Sequence, residues 1–192
     1  MQLTRTHFAA FFAAANSGNE PFPWQEDLLD HLLENGRWPD RIVAPTGSGK
    51  TSVIDVHIFA VALAYELGGP RLPRRLAMVV DRRVLVDDQY ARAQTLSRLL
   101  VESDLDVVTA VRHVLRRLRW RGRPIEIDTP AAEIGSPLVL GQLRGGQLPS
   151  RFWMDEPTAA MVLSATPDMF GSRLLFRSYG AAPASRPRAA GL

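Results

Sequence analysis

The chain is 192 residues long, 46% apolar and 22% charged, with a net charge of +3 and no cysteine. Its length suits one domain with a real core, its composition is that of a globular protein, and no apolar run is long enough to span a bilayer. The lack of cysteine excludes disulfides and thiolate metal sites, so the expected setting is cytoplasmic, with no membrane partner.

In chain order, residues 4–16 read as a short helix closed by Ser17-Gly18-Asn19. Its run FAAFFAAA behind Arg5 faintly resembles a signal peptide, but an amphipathic helix packed on the domain accounts for it better. Phe22-Pro23-Trp24-Gln25 opens a second helix, with Leu28, Leu29, Leu32 and Leu33 on one face and a stop at Gly36. The apolar run at 41–44 leads into a glycine-rich turn and predicts a buried strand. Residues 50–67 then read as a helix packed along Val53, Ile54, His57, Ala60 and Val61. RLAMVV at 75–80 predicts a second buried strand, with Asp81 placed to cap a helix reaching about Val101. A basic helix over 106–120, strands over 137–143 and 159–165, and a helix begun by Thr166 as N-cap and Pro167 as first residue complete the series. Alternating strands and helices predict an α/β fold, a parallel sheet with helices on both faces. The organisation read from this is N-terminal helices over 1–36, a main domain over 37–180 and a loose tail over 181–192.

Lys50 is the only lysine among 23 lysines and arginines. A chain that otherwise uses arginine has kept a compact ammonium where a guanidinium is too broad, as in a phosphate cradle. Lys50 lies in APTGSGKT at 44–51, the Walker A pattern between a predicted strand and a helix. Gly47 and Gly49 let the backbone aim amides at phosphate oxygens, with Thr46 and Ser48 beside them in the loop, and the helix dipole adds positive potential. Lys50 is expected to reach the β- and γ-phosphates and Thr51 to give its hydroxyl oxygen to Mg²⁺. Upstream, Gln25 can read an adenine edge and Phe22 and Trp24 can cover its face, the Q-motif arrangement of superfamily 2 helicases. ATP with Mg²⁺ is therefore the expected cofactor, bound by Phe22, Trp24, Gln25, Thr46, Gly47, Ser48, Gly49, Lys50 and Thr51.

Strand-to-helix junctions supply the candidate contacts to single-stranded DNA. Arg82, Arg83 and Gln89 occupy the position of helicase motif Ia, and Thr166 and Asp168 that of motif Ib. Arg173 and Arg177 share a face of the helix that follows, and QLRGG at 142–146 brings Arg144 and a bare backbone. Six arginines surround Trp120 over 112–123, which fits a DNA patch or, equally, a solvated helix face. Asp155-Glu156 followed by Ser164-Ala165-Thr166 imitates Walker B and motif III, but the spacing is too short for the intervening helix and strand. The order fits better with 164–168 as motif Ib and no Walker B carboxylates in the chain.

Phe22-Pro23-Trp24-Gln25, APTGSGKT, RLAMVVDRRVLVDDQ at 75–89, QLRGG and TPDMFGSRLLFRSYG at 166–180 together resemble the CRISPR-associated helicase–nuclease of type I systems, nearest to the type I-G form. The likeness covers almost the whole chain. It implies the first RecA-like domain of a P-loop ATPase that moves on single-stranded DNA and is recruited by a Cascade-type effector complex. It also implies that the Walker B strand, the second RecA-like domain and the HD nuclease fall outside these residues. His7, His31, His57 and His113 are scattered and form no His-Asp pair, so no nuclease is expected here. A chain lacking a central strand is expected to be marginal in isolation. The competing readings are an inactive ATP- and DNA-binding remnant and an unrelated P-loop kinase.

Overall fold

The computed structural model describes residues 1–119, 135–145, 156 and 158–175. Trp120, Arg121, Arg123, Gly146, Asp155, Arg177 and the tail over 181–192 lie outside them. The elements are a 3-10 turn Arg5–His7, α1 (Phe8–Ala15), α2 (Pro23–Asn35), a 3-10 turn Lys50–Ser52, α3 (Val53–Leu67), β1 (Arg75–Val79), α4 (Arg83–Glu102), α5 (Asp106–Arg119), β2 (Leu138–Leu143), β3 (Ala160–Ala165) and α6 (Pro167–Leu174). This is an α/β arrangement, a three-stranded parallel sheet in the order β1-β3-β2 with helices packed on it.

Helix α3 is the axis of the core. Every residue from Val53 to Ala64 is buried, Asp55 and His57 included, so its packing surface is far wider than one stripe. Helices α1, α2 and α5 pack against it, and Phe8 and Phe11 each meet Phe59 at a ring separation of 5.4 Å. Burying such a ring contributes about 2 kcal/mol. Proline at its first position starts α2, and Gly36, left-handed at φ 66°, ends it. One sheet face puts Leu76, Leu138, Ala160 and Val162 into this core. The other gathers Val139, Leu143, Met161, Leu163 and Ala165 with Met169 of α6.

Several expectations change. Residues 41–44 do not form a strand, and Ile42 and Val43 are 36% and 77% exposed. A short apolar run becomes a strand only when a neighbour completes its ladder of hydrogen bonds, and the described sheet ends at β1. For the same reason β1 is an edge strand with Ala77 and Val79 exposed, rather than a buried one. Arg82, not Asp81, stands at the N-cap of α4, without a side-chain cap. Thr166 does occupy the N-cap of α6. The basic helix α5 presents neither a free DNA patch nor a solvated face at Arg112 and Arg116, which are both buried. Arg112 donates to the carbonyls of Val101 (3.0 Å) and Ser103 (3.2 Å), closing the C-terminal end of α4.

Candidate functional site

The phosphate-loop sequence is curled by its own lysine. Lys50 Nζ donates to the carbonyls of Ala44 (2.9 Å) and Pro45 (2.7 Å), and Ser48 Oγ donates to Pro45 as well (2.7 Å). An ammonium has three protons, so one remains for an arriving anion. Gly47 and Gly49 both take left-handed φ, 82° and 70°. Thr46, Lys50 and Thr51 are exposed where α3 begins. The exposed Thr51 hydroxyl suits Mg²⁺, which keeps most of its waters and takes one or two protein oxygens beside nucleotide phosphates. Among the described residues no group of three or more His, Cys, Asp or Glu could hold a metal ion.

The segment read as the base reader also grips the loop. Trp24 Nε1 donates to Ser48 O (3.1 Å), and Gln25 Nε2 donates to Gly49 O (3.1 Å) while its Oε1 accepts from Phe22 N (2.9 Å). A Cβ on Gly49 would stand 3.1 Å from that Nε2, a tight approach, and 3.6 Å from the Phe22 ring, and the left-handed φ of 70° itself favours glycine. Gln25 has no exposed surface, whereas Phe22 is 48% exposed. Beside them opens a cleft of about 430 Å³, lined by the loop, Phe22 and the turn after α1 that carries Asn19 and Glu20.

Beneath the cleft lies a polar network whose residues the sequence did not single out. Asn16 Oδ1 accepts from Ser52 Oγ (3.1 Å) and from Arg92 Nη2 (3.0 Å), and its Nδ2 donates to Phe12 O (2.8 Å) and Asp55 Oδ2 (3.2 Å). Arg92 also donates to Ala15 O (2.8 Å) and pairs with Asp55. Burial pushes the Asp55 carboxyl above its ordinary range, and Arg92 and Asn16 oppose that shift. The network ties the residue after Thr51 to α4, the helix that starts at Arg83.

The DNA candidates collect elsewhere, along the C-terminal edge of the sheet. Val79 and Leu143 are both in register with Ala165, and Val80 N→Ala165 O and Thr166 N→Leu143 O (3.0 Å each) carry the alignment past the strand ends. Arg82, Arg83, Arg144, Thr166 and Asp168 therefore emerge side by side. Arg82 and Arg83 are exposed, and the Arg83 guanidinium lies over Gly145, 3.3 Å from where a Cβ would be. Asp87, which the sequence reading passed over, accepts from Gln142 Nε2 (2.6 Å) and pairs with Arg144 Nε (2.6 Å). The Asp168 carboxyl is held below its ordinary range, first by the neighbouring Thr166 side chain and further by the Met169 amide and the Arg83 charge. As a carboxylate it can accept from a base but cannot hold a phosphate. Gln89 is half-buried on α4. Arg173 departs from the expected position: it is 2% exposed and donates to Met169 O (2.8 Å), which turns it away from solvent.

No helix of the described residues is long and apolar enough to cross a membrane. Comparison with protein-family models, curated proteins and solved structures finds no match for this chain.

Proposed function

We propose that this chain is the ATP-binding part of a superfamily 2 DNA helicase motor, a P-loop ATPase of the RecA-like kind, acting in type I CRISPR defence beside a Cascade-type complex. The observation that carries the reading is the pairing of a lysine-curled phosphate loop at the start of a buried helix with an arginine-bearing edge where three parallel strands end level. In parallel α/β sheets, ligands gather at the carboxyl ends of the strands, where backbone amides and short side chains face outward. Lys50 and the loop amides would hold the phosphates, Thr51 would hold Mg²⁺, and Arg82, Arg83 and Arg144 would hold the backbone of single-stranded DNA. Mg²⁺ supplies charge neutralisation between the phosphates when bound.

The test is ATP turnover with and without single-stranded DNA, in the protein and in Lys50→Ala. Stimulation by DNA that vanishes in the variant supports the motor reading, and stimulation that survives it contradicts it. A second reading, a module that binds ATP and DNA without hydrolysis, rests on the sequence expectation that no Walker B carboxylate pair lies within these residues. Turnover by the 192-residue chain, lost in Lys50→Ala, contradicts that second reading. The sequence resemblance supports the motor over a kinase.

A further inference from the structure

Of the three arginines at the sheet edge, Arg82 and Arg83 stand exposed, whereas Arg144 is held. Its Nε is closed to solvent and lies 2.6 Å from Asp87 Oδ1, while the side chain as a whole keeps 20% exposure, which falls to its other atoms. A guanidinium carries one proton on Nε and four on its terminal nitrogens, so pairing at Nε leaves the terminal nitrogens for an anion. The same Asp87 Oδ1 accepts from Gln142 Nε2 (2.6 Å), and Gln142 stands two residues before Arg144. Asp87 also follows Arg83 by one turn of α4, so the two share a helix face. The Arg83 guanidinium reaches over Gly145, the residue after Arg144. Arg83 and Arg144 thus converge on one stretch of the edge, with Asp87 paired to one and a turn away from the other.

Guanidiniums brought together repel one another, and a carboxylate beside them offsets that repulsion. A long side chain that is already held also loses less freedom when a ligand arrives. We propose that Asp87 is a positioning residue for DNA: it fixes Arg144 through Nε so that the terminal nitrogens join Arg83 on one backbone phosphate. Gln142 keeps the carboxylate in place, and Asp87 itself touches no DNA. The inference rests on the reading of this edge as a contact to single-stranded DNA and adds to it the group that orders one of its arginines.

The sign of one substitution tests it. By charge alone, removing a carboxylate from a surface that binds a polyanion tightens binding; by positioning, it loosens binding. With a short oligothymidylate at one fixed salt concentration, Asp87→Ala is expected to bind about threefold more weakly, the cost of ordering one long side chain less the repulsion removed. Asp87→Asn, which keeps the shape and an acceptor for Gln142, is expected to fall between Asp87→Ala and the unaltered protein. In an Arg144→Ala background, Asp87→Ala is expected to leave binding unchanged or tighten it by up to about twofold, since only charge is left to change. Binding by Asp87→Ala or Asp87→Asn as tight as that of the unaltered protein, or tighter, overturns the proposal. So does a loss of equal size with and without Arg144, the mark of a general structural effect. If Arg144→Ala alone binds as tightly as the unaltered protein, the proposal fails while the edge reading stands on Arg82 and Arg83. If the unaltered protein does not bind the oligonucleotide, the edge reading itself fails and takes the proposal with it.

Discussion

The proposed phosphate loop and the sheet edge are built in different ways. The edge inherits its geometry from a backbone ladder: three parallel strands in one register end together, and the side chains that follow have little freedom in where they emerge. The loop has no such ladder, because residues 41–44 are not paired into the described sheet. Its shape rests on side chains reaching in from elsewhere, Trp24 and Gln25 from α2 and Lys50 from its own end. Substitutions at single side chains should therefore alter the loop more readily than the edge. The Asn16–Arg92–Asp55 network is the physical joint between the two, since it reaches from the first turn after Lys50 to the middle of α4.

The largest effect is expected at that joint. Arg92→Ala leaves the fully buried Asp55 without its cation and should cost about 3–5 kcal/mol, read from urea unfolding. A loss below about 1 kcal/mol would mean that α1, α3 and α4 are held together by apolar packing alone.

His57 gives the next largest. Its ring is buried against Trp38, and burial pulls its pKa from 6.5 down to about 4. The unfolded chain then takes up a proton as pH falls below 6.5 while the folded chain does not until about 4. Its contribution to stability is thus intact above pH 6.5, declines through that window and levels off below it. Between pH 6.5 and 5 the loss should be about 1.5 kcal/mol, and His57→Phe should remove that slope. Equal slopes in both proteins would place the acid sensitivity elsewhere.

At the edge, Arg83→Ala should weaken single-stranded DNA about threefold to tenfold and reduce the slope of log affinity against log salt by about 0.7, one phosphate contact fewer. An unchanged slope would remove Arg83 from the contact set. At the loop, the loss of a single hydrogen bond should have an effect of similar size. Trp24→Phe deletes the bond to Ser48 O but keeps an aromatic ring there, and should weaken ATP by about 1 kcal/mol with little change in melting. This same substitution should leave DNA affinity untouched.

Local signals in the sequence were readable where local physics decides. Pro23 and Gly36 bound α2, Pro167 starts α6, and the apolar runs of β2 and β3 are strands within one residue of expectation. Where a partner distant in sequence decides, they were not. The run at 41–44 looks like a strand by composition, yet strand structure belongs to the pair and not to the segment. Arg112 and Arg116 looked like a surface patch because charge alone does not reveal which carbonyls lie nearby. The network at Asn16 joins residues 76 and 37 positions apart, and neither spacing leaves a periodic trace. Gln25 reads in the sequence as a contact to the adenine edge, whereas its burial and its bond to Gly49 O depend on how α2 lies against the loop.

The central claim is that 44–51 is a working phosphate cradle built around the only lysine of the chain. Its most direct test is the equilibrium affinity for Mg²⁺–ATP of the protein and of Lys50→Ala at one fixed salt concentration. A loss of about a hundredfold or more, roughly 3 kcal/mol, is the predicted result for removing a charge-assisted contact to phosphate. Equal affinities in the two proteins would contradict it.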